Sequence, residues 1–161
     1  MKKTLLYTLM FVSTCLQASA CKRVDATGHK TSIDSLTNVK NMKLNIIVGD
    51  KIIVATMIDN VTTRAFVEML PLTLEMTELH KNEKYGHLSK KLPGKALTPG
   101  TIHAGDIMLW DADYKCLVLF YKTFSSPYSY VKLGTVDNPK ELEAALGSGD
   151  IQVRFEQLKS E

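Results

Sequence analysis

The chain has 161 residues, of which 45% are hydrophobic and 23% charged, and its formal net charge is +3. This length suits one domain with some sequence left over, and the composition argues against a disordered chain or a membrane-embedded body. The net charge falls to +1 without Lys2 and Lys3, so no general nucleic-acid-binding role is predicted.

The first 20 residues have the pattern of a secretory signal peptide. Lys2 and Lys3 precede the mostly apolar run 5–12, and small residues occupy positions 18–20. The run is too short to span a bilayer, for which about 20 apolar residues are needed. We therefore predict that residues 1–20 are removed and that the protein is exported.

Cys21 is the predicted first residue of the mature chain by either of two routes. An ordinary signal peptidase would cut after Ala20 and release a periplasmic or secreted protein with a plain thiol at Cys21. Alternatively, the small residues before this cysteine resemble a bacterial lipobox, although Ala18 stands where the commonest form has Leu. That resemblance implies a lipoprotein of the cell envelope, in contact with the membrane through a lipid on Cys21.

Residues 21–42 are mostly polar and predict a flexible tether, which is followed by a folded domain at 43–161. The alternative is that 33–39, with its isolated aliphatic residues, adds a short element to the domain. Of the three cysteines only Cys116 lies within the domain, so no disulfide framework is predicted. We expect Cys116 to be a small buried hydrophobe.

The first half of the domain predicts a hairpin, a helix and a strand. Two β-branched runs flank Gly49-Asp50, and a helix follows that is capped by Asp59 or Asn60 and stopped by Pro71. The strand alternates between apolar and polar residues until Glu78-Leu79, where the phase breaks. The predicted bounds are 43–48 and 51–58 for the hairpin, 62–70 for the helix and 72–77 for the strand.

The second half begins with a long polar excursion at 80–103, which predicts a loop with at most a short strand at 85–88. A second hairpin follows, then a strand, a helix and a last strand. Asn138 is expected to cap the helix, with Glu141 completing a capping box and Gly147 ending it. The predicted bounds are 107–110 and 116–121 for the hairpin, 130–136 for the strand, 138–147 for the helix and 150–156 for the last strand.

About seven strands and two short helices predict a mainly β fold whose sheet closes into a barrel, because closure pairs every edge strand. The order of the elements resembles the cyclophilin fold, and the local sequence is similar to small bacterial cyclophilin-like proteins. The similarity spans 43–155 and implies a closed cyclophilin-like β-barrel with two short helices. The segments that carry it are 105–110, 116–121 and 133–147, with support from 69–76 and 124–126.

Cyclophilins are peptidyl-prolyl isomerases, and the resemblance implies where an active site would lie. Their arginine, on the strand after the first helix, draws electron density from the imide nitrogen against a barrier of about 20 kcal/mol. Here that strand carries Glu75 and Glu78 but no arginine, and Arg64 lies on the preceding helix. The leading prediction is a non-catalytic binding module, and the alternative is an isomerase with a non-standard active site.

Aromatic residues cluster around the second hairpin and indicate a groove for a small-molecule or peptide ligand. The alternative is that alternate members of the cluster, which includes Phe120 and Tyr121, simply fill the barrel. The predicted ligand-binding residues are Tyr85, Phe124, Tyr128 and Tyr130, with Glu75 as a polar partner.

No cofactor, metal or catalytic nucleophile is predicted, and the sequence gives no oligomeric state. The histidines lack the ligand spacing of a zinc site, the aspartates lack the Gly and Glu of a calcium loop, and the serines lie in no nucleophile elbow. The histidines are His29, His80, His87 and His103, the aspartates are Asp106, Asp111 and Asp113, and the serines are Ser125, Ser126 and Ser129.

Overall fold

The computed structural model describes residues 42–158. The predicted signal peptide, the lipidation candidate Cys21 and nearly all of the predicted tether lie outside these residues. Met42 is the first residue described, and its side chain is buried in the core. No helix within 42–158 is long and apolar enough to cross a membrane.

Ten strands and two helices make up the described part of the chain. The helices are α1 (Val61–Val67) and α2 (Pro139–Leu146). The strands are β1 (Lys43–Val48), β2 (Lys51–Met57), β3 (Leu72–Leu79), β4 (Glu83–His87), β5 (Gly100–Ile102), β6 (Asp106–Trp110), β7 (Cys116–Phe120), β8 (Phe124–Ser126), β9 (Tyr130–Val136) and β10 (Ile151–Gln157).

Eight of the strands close into an antiparallel barrel in the order β1-β10-β3-β4-β7-β6-β9-β2. Strands β5 and β8 pair only with each other and form a separate small sheet. The predicted mainly β closed barrel with two short helices is therefore confirmed. The two predicted hairpins are its β1–β2 and β6–β7 pairs.

The barrel interior is filled by every second residue of each wall strand, because successive side chains of a strand point to opposite faces. The members are aliphatic or aromatic, and each fully buried side chain of this size contributes about 1.5–3 kcal/mol. Those with no exposed surface include Leu44, Ile46, Met76, Ile107, Leu109, Leu117, Leu119, Leu133, Val153 and Phe155.

The helices pack against this core. In α1 the Asn60 side chain accepts a hydrogen bond from the Thr63 backbone N–H at 2.8 Å, and the Phe66 ring packs edge-on against Phe155 at 6.0 Å between centroids. In α2 the expected capping box is not formed, because the Asn138 amide donates to the Glu141 carboxylate at 2.8 Å instead of accepting a backbone N–H.

A second apolar layer lies on the outer face of β4, β6, β7 and β9. Outward-facing Met108, Val118 and Tyr130 from this wall contact Ile102 of β5 and Phe124 of β8. The small β5–β8 sheet therefore covers part of the barrel's outer wall. Neither short strand was predicted, since three residues are too few to show an alternation.

A buried ionic network joins β3, β4 and Tyr121, the residue that directly follows β7. The Lys84 side chain has no exposed surface, and its ammonium donates to the Glu78 carboxylate at 2.7 Å and to the Gly149 carbonyl oxygen. The Tyr121 hydroxyl donates to the other oxygen of Glu78, also at 2.7 Å. The predicted end of this strand at Thr77 is thus wrong: β3 continues to Leu79, and Glu78 takes an inward-facing position where it accepts from these two donors.

Replacing Lys84 by methionine should destabilise the protein by about 3 kcal/mol, because Glu78 is left partly buried without its cation. The double variant K84M/E78Q should be more stable than K84M alone. Urea unfolding free energies of the single and double variants check this coupling. The matched control is Lys43→Met, whose exposed ion pair with Asp137 should contribute no more than about 1 kcal/mol. Equal costs for Lys84→Met and Lys43→Met would contradict the prediction.

Candidate functional site

A cavity of about 480 Å³ opens on the outer wall of the barrel. Its floor is formed by outward-facing side chains of β4, β7 and β9, and its other sides by the β3–β4 turn and the segment from β8 to Tyr128. The apolar and aromatic members are Leu79, Tyr85, Trp110, Val118, Phe124, Pro127, Tyr128 and Tyr130. The polar members are His80, Asn82, Glu83, His87, Cys116, Ser125 and Ser126.

The alternation of β4 decides which of its side chains reach the cavity. Glu83, Tyr85 and His87 all line the cavity, whereas the intervening Lys84 points into the barrel. Gly86 also faces inward, since a Cβ on it would lie 3.3 Å from the Leu74 side chain. One short strand therefore contributes to the core with one face and to the cavity with the other.

Aromatic rings pack against one another around the cavity. The Phe120 ring, just beneath the lining, lies 5.5 Å from Tyr130 and 5.8 Å from Phe124 between centroids, and so fixes both. At the rim Trp110 and Tyr128 form a second pair at 6.3 Å, and their side chains are 37% and 58% exposed. A rigid inner wall is thus combined with an aromatic pair that is open to solvent.

The structure brings together four of the five residues that the sequence proposed for ligand binding. Tyr85, Phe124, Tyr128 and Tyr130 all line the cavity. Glu75 does not line it: its carboxylate accepts a hydrogen bond from the Gln152 amide at 2.7 Å, on the side of β3 that pairs with β10. The reason is that β4 pairs only with the last three residues of β3, so Glu75 lies outside the part of the wall that bears the cavity.

The acidic residue of the cavity is Glu83, which the sequence analysis did not single out. Glu83 is 9% exposed, and burial away from water, with a smaller effect of the negative charge on Glu78, raises the pKa of its carboxyl to about 7. No hydrogen bond or nearby cation offsets these two effects within residues 42–158. The cavity therefore holds a carboxyl group that changes charge near neutral pH.

Glu78 has the opposite electrostatics, although it lies only five positions earlier. Burial would raise its pKa, but the hydrogen bonds from Lys84 and Tyr121 outweigh burial and hold the pKa below its usual value. The pKa values of the two carboxyls thus differ because Glu78 has hydrogen-bond donors and Glu83 has none.

Sequence reasoning missed Glu83 because the pattern of 82–84 is that of a polar loop. The alternation of Glu83, Tyr85 and His87 was the signal that could have revealed it.

Cys116 is buried and unpaired with another cysteine in the described chain, as expected for a small hydrophobe. Burial, followed by the charges of Asp113 and Glu83, raises the pKa of its thiol to about 12, so the reactive thiolate is not populated at neutral pH. His87, its neighbour in the β4–β7 pairing, is exposed. Between residues 42 and 158, no three His, Cys, Asp or Glu side chains are grouped as metal ligands.

The eight-stranded barrel, with its two helices and covered outer wall, defines the protein as a cyclophilin-like β-barrel. The Cyclophilin-like family matches residues 46–156, and the chain belongs to that family. The resemblance stated from the sequence is confirmed at this level.

Among solved structures, the solution structure of the hypothetical protein AF2241 from Archaeoglobus fulgidus is similar, with a TM-score of 0.51 and 18% sequence identity. The similar region covers 73% of this chain and 95% of that chain. At this level of identity the likeness shows the fold alone. No curated protein is significantly similar in sequence.

Replacing Glu83 by glutamine should stabilise the protein at alkaline pH. The carboxyl pKa is raised in the folded state, so the stability contributed by its proton is complete below the unfolded value of 4.5 and is lost as the pH rises through about 7. Glu83→Gln, which mimics the neutral form, should gain up to about 3 kcal/mol over the natural protein near pH 8 and almost nothing near pH 4. Urea unfolding at both values measures the difference.

The matched control for this measurement is Glu68→Gln, which makes the same change at an exposed residue at the end of α1. It should show no comparable gain at alkaline pH. A gain for Glu83→Gln that is the same at both pH values would show that ionisation of Glu83 is not its cause.

Proposed function

We propose that the domain is a non-catalytic binding module that holds a small molecule or a short peptide in the outer-wall cavity. The observation that carries this proposal is the cavity of about 480 Å³ with aromatic walls and few polar groups. Ligand sites of proteins typically have volumes of roughly 300–1,000 Å³ and this kind of lining. The barrel interior is filled by buried aliphatic and aromatic side chains, whereas this cavity lies on the outer wall.

The chemistry of the lining favours binding over prolyl isomerisation. A guanidinium or another strong donor is needed to polarise the imide, and the lining residues include neither arginine nor lysine. Arg64, which the sequence placed on the helix before the expected strand, pairs with Asp59 at 2.6 Å and does not line the cavity. Glu83 cannot replace a guanidinium, because a carboxyl group carries no positive charge in either its protonated or its ionised form.

Tryptophol, a neutral indole alcohol, should bind the cavity with millimolar affinity and shift the amide resonances of β4, β7 and β9 in a ¹⁵N NMR titration. Tyr128→Ala should weaken this binding about fivefold, because it removes half of the aromatic pair at the rim. Tyr128 is largely exposed, so the variant is expected to fold. Glu75→Gln is the control and should leave the affinity unchanged.

The alternative isomerase function is tested with the same variants in a prolyl-isomerisation assay on a short proline peptide. The binding proposal expects the uncatalysed rate with all three proteins. An acceleration by the natural protein that is lost in Tyr128→Ala would contradict the non-catalytic proposal. An acceleration that is equally strong in that variant would place catalysis elsewhere and contradict it as well.

We also propose that the domain is displayed at the cell envelope through a lipid on Cys21. Support comes from the sequence, in which a basic start, an apolar run and the small residues 18–20 precede Cys21. This arrangement would leave the cavity facing the extracytoplasmic space and its ligands. The proposal is separate from cavity binding, and either can fail without the other.

The intact mass of the full-length protein, expressed in a bacterial host and purified from its membranes, should correspond to a chain that begins at Cys21 and carries acyl groups. In a Cys21→Ala variant the acyl mass should be lost. An unmodified chain beginning at Cys21 would refute the lipid and favour a free periplasmic or secreted domain. An uncleaved chain would refute export.

A further inference from the structure

We infer that the ligand of the cavity carries a positively charged nitrogen, an ammonium or a guanidinium, that pairs with Glu83. This inference rests on the proposed function, and it specifies the chemical class of the ligand. Its three supports are the unpaired carboxyl, the aromatic walls and the distribution of charge around them.

The first support is that Glu83 differs from the other buried carboxylates of the domain. Glu78 has Lys84 and Tyr121 as donors, and Asp106 has the Lys132 ammonium at 2.6 Å and the His103 backbone N–H at 3.0 Å. Glu83 is nine-tenths buried and has no hydrogen bond or ion pair among residues 42–158. A buried ionised carboxylate without a partner is costly, so a cation in the cavity would be strongly favoured.

The second support is that the cavity walls offer aromatic faces without a competing cation. Tyr85, Tyr130 and the rim pair surround the cavity, and aromatic faces attract ammonium and guanidinium groups. The Lys84 ammonium is not available, because it points into the barrel and is held by Glu78. A ligand cation would therefore meet both a carboxylate and ring faces, each of which prefers it to a neutral group.

The third support is the charge of the groups that surround Glu83 on the neighbouring strands. Glu78 on β3 adds negative potential, while the Cys116 thiol on β7 and the Tyr130 hydroxyl on β9 remain neutral because burial raises the pKa of each. An anionic ligand would be repelled by the ionised Glu83 carboxylate, which lines the cavity. His80 and His87 also line the cavity.

Three indole compounds of different charge separate these contributions: tryptamine is a cation, tryptophol is neutral and indole-3-propionate is an anion. In NMR titrations near pH 8 tryptamine should bind about tenfold more tightly than tryptophol, and indole-3-propionate should bind most weakly. Glu83→Gln should reduce the ratio of tryptamine to tryptophol affinity to about one. Glu68→Gln removes the same charge from an exposed residue that does not line the cavity, and it should preserve the ratio.

A second set of titrations distinguishes two sources of the same chemistry. The blocked peptide acetyl-Ala-Lys-Ala-amide presents the ammonium on a lysine side chain, and its norleucine counterpart lacks the charge. Binding of the lysine peptide in preference to the norleucine peptide would identify a protein or peptide side chain as the ligand class. Binding of tryptamine without the lysine peptide would identify a free amine. Both outcomes support the inference.

The inference and the proposed function fail in different ways. If tryptophol binds the cavity as tightly as tryptamine, or if Glu83→Gln leaves their ratio unchanged, the cation inference is overturned while the binding module stands. If the ratio depends on His80 or His87 variants and not on Glu83, the pairing with Glu83 is likewise refuted. If no probe shifts the cavity resonances at millimolar concentration, both the inference and the proposed function are rejected.

Discussion

The position of β4 between β3 and β7 is the constraint on which both the barrel and the cavity depend. β4 completes the ring of eight strands, and its pairing with both neighbours satisfies the backbone of the wall there. Because alternate residues of a strand face opposite sides, the same pairing sends Lys84 into the barrel and Glu83 into the cavity. A shift of one residue in this register would exchange the two and place an unpaired carboxyl in the interior.

The two faces of β4 also show how the fold treats buried charge. Lys84 is fully enclosed, yet its ammonium is matched by Glu78, and Glu78 is matched again by Tyr121. That network links β3, β4 and the residue that directly follows β7. Glu83 has no such partner, so its charge depends on pH and on what enters the cavity. A paired group stabilises the fold, whereas an unpaired group in a cavity is available to a ligand.

The sequence predicted the parts of the fold that have strong local patterns. The hairpin around Gly49, the α2 helix and the alternating β10 strand were all predicted close to their observed bounds. The contribution of β4 was missed because neither face of the strand looks apolar: one face carries Lys84 and Gly86, and the other carries Glu83. Burial of a lysine depends on a partner from another strand, and no local pattern reports that partner.

The candidate site was only partly predictable for a related reason. Aromatic clustering in the sequence indicated four lining residues, since aromatic side chains on neighbouring strands tend to share a layer. From the sequence, Glu75 was proposed as the polar partner of these aromatic residues. The structure places Glu75 against Gln152, two residues before the pairing with β4 begins.

An eight-stranded barrel of this size is just wide enough for its own side chains, which explains why the cavity lies outside it. Phe66, Phe155 and the aliphatic layers are fully buried in the core, and the cavity lies against the outer wall. A bare outer wall would be a shallow surface, and the β5–β8 sheet gives it depth by contributing Ile102 and Phe124. Strands β5 and β8 pair only with each other and take no part in the strand pairing that closes the barrel. Changes in their side chains would therefore alter the cavity while the register of β4 continues to place Glu83 in it.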